Sequence, residues 1–600
     1  MLNHLFRFPS SFLARIGVSL IGCIVIVSSL SAARALTFEE LYDSSKLLDV
    51  RITLSDSDWN TIRVQSRSMA QALGEERRTG KAATPFSYVT GDVSINGVEF
   101  KSVGIRKKGF IGSLDDTRPS LKVKFNHTDS KTKVAGVTQL TLNNNKQDGA
   151  LVSQTMAYAL FNQAGLPASK SSYAKVMING QSLGIYTNVE SARKPLVQRG
   201  FGTDKGTLFE GTIVDFFDGW AGGFEHKFGP EKKGRKKLQS VIDALNGPDG
   251  ALVASLGKVI DLDGFLKFWA IESLIGFWDG YSGNQNNFFV YHNPKTDRLH
   301  FLPWGADSVF TSRGMFQRGG PQSVKARGRL ASRLYQVPEI RERYRTVMLG
   351  ILKSHWDEKA LLAESERVED LVGDSIHERQ KGFSQAMDRT REFFSTRRDQ
   401  ITKELEDGTP EVEGGASEPM YFAKIGRVEG TINAQWFSDA PDDPTEVGEA
   451  KVKVIIDGKE VEFTNLGAHA VMGRRGYRGP GQPNINIVGE RKSDGELVTL
   501  SLMLPEALFT PSEGKMVPVG GMMRQGQGFG FGPGGMSPID GKIQVLEAAL
   551  EDGAPVKVEV SAHIMKMENS IFGRGGGGPP RRGGPGGPPR GREGRPGRPQ

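Results

Sequence analysis

FWDGYSGNQNNFFVYHNPKTDRLHFLPWGADSVF, residues 277–310, decides how this chain is read. Asp279 stands five residues before Asn284 and eight before Asn287. Two strand-like runs follow, FFVY and LHFLPW, and a second acid, Asp307, comes after them. An acid, a cluster of amides, a short hairpin and a second acid can hold a divalent cation against a polyphosphate and orient a hydroxyl.

Upstream of this stretch, KKLQSVIDALN, GALVASLGKVI and DGFLKFWAIESLIGFW have apolar residues at helical spacing, the last with Asp263 as an N-cap. Residues 331–405 also read as helices, ending in REFFSTRRDQITKEL. Residues 36 to about 130 alternate in strand fashion in RITLSDSDW, FSYVTGDVSINGVEFKSVGIRKKG and PSLKVKFN, with a hairpin turn at Asn96-Gly97. GALVSQTMAYALFNQAGL predicts one helix stopped by Gly165, and SSYAKVMINGQSLGIYTNVES a hairpin around Asn179-Gly180. The expectation is a twisted antiparallel sheet with one helix, then a helical part, with a ligand cleft between them. The Gly- and Arg-rich stretch 312–328 is long enough to be a functional flap.

Residues 406–419 have linker composition. Beyond them, residues 420–570 carry six strand-like runs and predict an all-β, sandwich-like domain. The last thirty residues, 571–600, hold twelve Gly and seven Pro; they can bury no apolar face and are expected to be disordered. Arginines among Gly and Pro would suit an anionic polymer, or form only a solvated tail.

Arg7 and Arg15 precede an apolar run, Ile16–Leu30, and Ala33-Arg34-Ala35 fits a small-x-small cleavage site. Residues 1–35 therefore read as an export signal. The competing reading is a membrane anchor, but the run falls short of the ~20 residues a span needs. No other long apolar run exists, so the mature chain is expected to be soluble, with no transmembrane segment and an extracytoplasmic location. Cys23 is the only cysteine. Cleavage would remove it, which excludes disulfides, thiolate metal sites and cysteine nucleophiles.

The formal net charge is +8, but +3 belongs to residues 1–35 and +6 to residues 571–600, leaving −1 for the body. A basic nucleic-acid-binding domain is not indicated. Nor are a zinc motif of the HExxH type, a GxSxG elbow, or a Gly-rich phosphate loop of the ordinary kinase or P-loop kind. Asp215 and Asp218 sit three apart in VDFFDGW and carry no assigned role.

Residues from about 48 to 405 resemble the CotH kinase family, the spore coat protein H group of atypical secreted kinases. The matching text is GIRKKG (104–109), SLKVKFN (120–126), LTLNNN (140–145), NQAGLPAS (162–169) and YAKVMINGQSLGIYTNVES (173–191). It continues through FWDGYSGNQNNFFVYHN and FLPWGADSVF. The resemblance implies an α+β fold with a reduced, bilobal, protein-kinase-like domain over residues 36–405, a strand-rich N-lobe and a helical C-lobe. It also implies ATP- and metal-dependent phosphorylation of Ser residues on exported proteins.

Asp279 is the first candidate for catalysis: it aligns with the family's catalytic Asp, and a carboxylate there can orient an attacking hydroxyl. Asn284 and Asn287 are hard amide ligands suited to Mg2+ or Mn2+, and Asp307 is the second metal acid. Arg106, Lys108, Lys122 and Lys124 lie on adjacent predicted strands and are candidates for holding a triphosphate, with Lys108 and Lys122 leading and Glu190 as a partner that positions them. Alternation puts Lys122 and Lys124 on one face, which suits a ligand or solvent equally.

Family members commonly read Pro-Trp-Asp-x-Asp where this chain has Pro303-Trp304-Gly305-Ala306-Asp307. Loss of that acid would lower the charge facing a metal and weaken nucleotide binding. Two readings follow. In one, this is an exported CotH-like kinase using ATP with Mg2+ or Mn2+ on exported protein substrates. In the other, it is a non-catalytic pseudokinase serving as a surface, coat or matrix binding protein. A third, metal-dependent hydrolysis, would use the same acids with water.

Overall fold

The computed structural model describes residues 35–80, 84–311, 320–416, 418–473, 482–526 and 535–569. The export-signal and tail expectations, and the first half of the 312–328 flap, fall outside these residues.

Seven strands form a closed barrel: β1 (Leu47–Thr53), β2 (Val89–Ile95), β3 (Val98–Lys108), β4 (Ser120–Lys124), β5 (Gln139–Asn143), β6 (Ser171–Ile178) and β7 (Gln181–Val189). The order is β1-β2-β3-β4-β5-β7-β6, and β6 returns to pair in parallel with β1. The expected open antiparallel sheet is thus closed, which leaves no unpaired edge. Both predicted Asn-Gly turns form, with left-handed backbone at Asn96, Gly97, Asn179 and Gly180. Their side chains also secure β1: Asn96 Oδ1 accepts from the amide of Asp49 at 2.9 Å, and Asn179 Oδ1 from that of Leu54 at 3.0 Å. RITLSDSDW is a strand only as far as Thr53; Ser55 then caps a helix, Asp56–Val64, by accepting from the amide of Asp58.

Strand alternation divides the barrel wall. Val50, Ile52, Val93, Ile95, Val103, Ile105, Leu121, Val123, Leu140 and Leu142 fill the interior. On the outer side, Arg106 stands opposite Lys122, Lys108 opposite Ser120, and Lys122 opposite Thr141. A polar strip from β3, β4 and β5 therefore faces away from the barrel core.

The helix Ser153–Gln163 leaves the barrel and ends, as expected, before Gly165 in a left-handed conformation. A second sheet follows, with β8 (Thr207–Gly211), β9 (Glu225–Phe228), β10 (Phe288–Asn293) and β11 (Arg298–Pro303) in the antiparallel order β11-β10-β8-β9. The predicted hairpin is β10–β11. Beneath it runs the helix Leu262–Leu274, in which Phe265, Leu266, Phe268, Trp269, Ala270, Ile271 and Leu274 are all buried. A helix apolar over most of its circumference, with Asp263 and Lys267 left exposed, packs mainly inside. Its N-cap position is Asp261, not Asp263, which instead pairs with Arg343 at 2.6 Å. The helices Pro338–His355, Glu358–Val372 and Phe383–Glu404 enclose the same core.

The C-terminal strands are β12 (Tyr421–Phe437), β13 (Glu449–Ile456), β14 (Lys459–Glu460), β15 (Phe463–Met472), β16 (Pro483–Arg491), β17 (Leu497–Met503), β18 (Val517–Gln525), β19 (Met536–Glu547) and β20 (Pro555–Glu568). They form one sheet instead of two stacked ones. The 17-residue β12 pairs with β13 and β15 and also with β20, so the sheet closes on itself. Its core is apolar, built on Val428, Ile432, Ile485, Ile487, Leu500, Leu502, Val556 and Val558.

Candidate active site

Asp279 follows the buried helix and precedes a single helical turn, Tyr281–Asn284. Three amides converge on its carboxylate. Asn284 Nδ2 donates to Oδ1 at 2.7 Å, Asn286 Nδ2 to Oδ1 at 3.1 Å, and Asn287 Nδ2 to Oδ2 at 2.9 Å. The loop reaches this geometry through left-handed backbone at Gln285 and Asn287. Burial pushes the Asp279 carboxyl up, and the three amides hold it down.

The loop is braced from below by two buried acids. Glu272 accepts from the amides of Tyr281 and Ser282, both at 2.8 Å. Asp215 accepts from the Tyr281 hydroxyl at 2.9 Å, Gln285 Nε2 at 2.9 Å and the Arg329 amide at 2.6 Å. Burial raises Glu272 to about 7 and Asp215 to about 6. The 320–328 end of the expected flap is anchored against the same loop. The Arg327 amide donates to Ser282 O at 2.8 Å, and the Gln322 and Ser323 amides to the Glu404 carboxylate.

Asp307 and Lys108 act on each other electrostatically. Burial pushes its carboxyl up to about 7; Lys108 opposes the rise, and Asp279 and Asp148 add to it. Lys108 is pulled down to about 8 by burial, against the pull of Asp307 and Glu210, and its Nζ donates to Asn143 Oδ1. Asn143 is held in turn by donating to Gln154 Oε1 at 2.6 Å. Asp148 accepts from the amide of Ser153 at 2.8 Å and is raised to about 6 by burial.

Lys122 is the sharpest electrostatic feature. It is driven well below the ordinary lysine range by burial and then by Arg106, Lys108, Arg193 and Lys227. Among the described residues its ammonium has no hydrogen-bond or ion-pair partner. Acids border this cluster: Lys227 pairs with Glu210 on β8 and with Glu225, and Glu210 is held down by Lys122 and Lys108 as well. Cations crowded around a lysine with no hydrogen-bonded partner of its own make a place that an anion would stabilise.

The other two basic candidates, Arg106 beside Lys122 and Lys124 on the same strand as Lys122, share an aromatic partner. Arg106 and Lys124 lie over the Tyr88 ring, at 5.3 and 5.5 Å from its centre. Glu190 is corrected outright. Its carboxylate receives Arg199 at 2.8 and 2.5 Å and the Lys170 amide at 3.0 Å, at the end of the barrel. The glutamate that acts on Lys108 and Lys122 is Glu210. The sequence offered no signal for Glu210, Lys227, Arg193 or Asp148, because the lysines and Asp307 that they act on lie on elements far away along the chain.

The residues present fit a hard divalent cation. The Asn284 and Asn287 side-chain oxygens accept no hydrogen bond among the described residues, and Asp307 interacts electrostatically with the Asp279 that these amides hold. No group of three or more acids and histidines converges there among the described residues. That suits Mg2+ or Mn2+, which take one or two protein carboxylates and complete their shell with phosphate and water. Gly305 explains part of the geometry. Its backbone is left-handed, and a Cβ there would sit 2.2 Å from Asn287 Oδ1. The Asn287 amide thus fills the space a side chain at 305 would need.

The model of the CotH kinase protein family matches residues 105–406, half of the chain. The chain belongs to this family. Among curated proteins it is 26% identical over 218 residues to the inner spore coat protein H-like protein of Bacillus subtilis, covering 36% of this chain and 62% of that one. It is 24% identical over 261 residues to the inner spore coat protein H of the same organism, covering 40% and 69%. It is 23% identical over 247 residues to invasin CotH2 of Rhizopus delemar, covering 38% and 41%. The chain therefore spans less than two thirds of the first of these relatives.

Proposed function

We propose that this chain is an extracytoplasmic, atypical protein kinase with a reduced bilobal kinase-like fold, using ATP with Mg2+ or Mn2+ to phosphorylate Ser hydroxyls of exported or surface proteins. The observation that supports this reading is the electrostatic grouping of Lys108 with Asp307, of Asp307 with Asp279, and of Lys122 with Lys108 and Glu210, beside the three amides that fix the Asp279 carboxylate. Lys108 and Lys122 neutralise the phosphates, and the oxygens of Asn284 or Asn287 with Asp307 hold the cation. A cation held there would spread the charge of the transferring group. Asp279, fixed by its three amides, orients the acceptor hydroxyl. As the serine oxygen bonds to the γ-phosphorus, the bond from phosphorus to the bridging oxygen breaks and ADP leaves. Asp279 takes the hydroxyl proton. The Bacillus relatives are named as spore coat proteins and the Rhizopus relative as an invasin, names that suit a protein acting at a surface. Among the described residues no helix is long and apolar enough to cross a membrane. The Arg/Gly/Pro tail is proposed to bind anionic polymers.

Gly305 favours a second reading, a pseudokinase retained for binding. Transfer from γ-labelled ATP to a Ser-rich protein separates the two. Label that falls about 100-fold or more in Asp279→Ala establishes the kinase. Gly305→Asp needs the Asn287 amide to move aside, because a Cβ at 305 would sit 2.2 Å from Asn287 Oδ1. Label in Gly305→Asp but not in the parent identifies a kinase disabled at one ligand. No label in any variant, with no nucleotide-dependent rise in melting temperature, selects the binding protein.

A further inference from the structure

Ile213 carries a left-handed backbone, with φ of 45°. That conformation is unfavourable for a β-branched residue and persists only where its surroundings enforce it. The residue matters because its amide donates to Asn286 Oδ1 at 3.2 Å, and the next amide, of Val214, donates to Gln285 O at 2.9 Å. Asn286 in turn donates to Asp279 Oδ1 at 3.1 Å.

The enforcement comes from Arg77. Its side chain is buried, and Nη2 donates to Thr212 O and, at 2.9 Å, to Ile213 O. Arg77 belongs to a segment, residues 68–78, that is wedged against the C-terminal sheet. Ala70, Ala72 and Leu73 share an apolar cluster with Ile213 and with Phe422, Met565 and Met567 of β12 and β20. Gly74 forms a β-bridge with Phe422, Ser68 Oγ donates to Asp540 Oδ1 at 2.7 Å, and Lys424 pairs with Glu76 at 2.5 Å. Arg78 lies over the Tyr421 ring at 5.1 Å. Both the wedge and the sheet lie outside the 105–406 family match.

We infer that Arg77 is a positioning residue through which the C-terminal β domain holds the Asp279 loop in its working geometry. The contact runs from β12 and β20 to the 68–78 wedge, from Arg77 to the Thr212 and Ile213 carbonyls, and from Ile213 through Asn286 to the carboxylate. The β domain is then part of the site, and loosening its dock loosens Asp279. This inference concerns the loop geometry and rests on the kinase reading only in its activity arm.

The test uses hydrogen–deuterium exchange on the full chain, so its outcome is independent of whether the parent transfers phosphate. Arg77→Met is expected to speed exchange at least tenfold in peptides covering 212–216 and 279–287, with β3 to β5 unchanged. Arg77→Lys, which keeps one donor, restores part of the protection. Phe422→Ala, at the far end of the contact chain, gives the same pattern at smaller size. Adding Ile213→Gly to Arg77→Met recovers protection, because glycine adopts this backbone without help. If the parent is active, the same variants lower kcat more than the KM for ATP. Unchanged exchange at 279–287 in Arg77→Met or, should that variant not fold, in both Arg77→Lys and Phe422→Ala overturns the inference. So does a uniform rise across the whole chain.

Discussion

The first four hundred residues and the C-terminal sheet use burial in opposite ways. Among the described residues, the former bury Lys107, Arg118, Asp148, Asp215, Glu272, Asn286, Lys325 and Arg397. The latter buries only His469 and Ser537 among polar groups, while exposing Met472, Leu497, Met503, Met516, Leu546 and Leu550. Burying a charge is costly unless it is paired, so a fold that does so repeatedly is spending stability on arrangement. Most of those groups are satisfied: Lys107 donates to Arg63 O at 2.6 Å, and Arg397 donates to three carbonyls. Lys122, half-buried on the outer face of the barrel, has no hydrogen-bond or ion-pair partner among the described residues. On the proposed reading, the difference separates groups buried for architecture from one that meets a ligand.

Two substitutions sharpen that contrast most strongly. Leu500→Ala, in the apolar core of the sheet, is expected to cost about 2–5 kcal/mol of stability. It should leave ATP affinity unchanged. Lys122→Met is expected to act in reverse. It removes a charge pressed by four cations, so the melting temperature rises, while ATP affinity falls about 10–100-fold with the loss of a charge-assisted phosphate contact. Denaturant unfolding and nucleotide titration calorimetry on both variants check the pair. A Lys122→Met protein that melts lower and binds ATP normally would place this lysine with Lys107, among the architectural groups.

Legibility in the sequence followed distance along the chain. Asp279, Asn284, Asn287 and Asp307 fall within thirty residues, so spacing picked them out as candidates, while the roles proposed for them come from the family resemblance. Both Asn-Gly turns and the β10–β11 hairpin are equally local. Alternation placed Lys122 and Lys124 on one face correctly, but it could not show that Tyr88 would take Lys124 and Arg106. Glu210 and Lys227 reach the cleft only because β8 and β9 extend the sheet that β10 begins. Arg77 meets its carbonyl partners across 135 and 136 residues. Barrel closure depends on the parallel β1–β6 pair, and strand periodicity specifies faces, not which strands meet.

The acid side of the cleft adds a pH dependence that the apolar sheet lacks. Asp307 has an ordinary value of 3.8 and is raised to about 7 in the folded chain. The unfolded chain therefore ionises at lower pH than the folded one. This group favours the folded state below pH 4, and the advantage is lost as pH rises through about 7. A cation needs the ionised form, so its affinity should rise about tenfold per pH unit below 7 and level off above it. Mg2+ or Mn2+ should thus raise the melting temperature more at pH 8 than at pH 6, with proton release on binding. Calorimetry in buffers of different ionisation enthalpy reads that release, and a pH-independent affinity would remove Asp307 from the ligand set.

The smallest effect separates two glutamates. Glu190 is fully engaged by Arg199 and the Lys170 amide, away from the lysines, so Glu190→Gln should cost about 1–3 kcal/mol of stability and leave ATP affinity within about twofold. Glu210 faces Lys227, Lys108 and Lys122, so Glu210→Gln changes the charge that a phosphate meets. Without that carboxylate the cations repel one another more, and an incoming anion loses a competitor. ATP should then bind more tightly to Glu210→Gln at low ionic strength, by about fivefold, with the gain shrinking as salt screens the site. Equal responses from the two variants would mean that the cationic wall is not where the nucleotide binds.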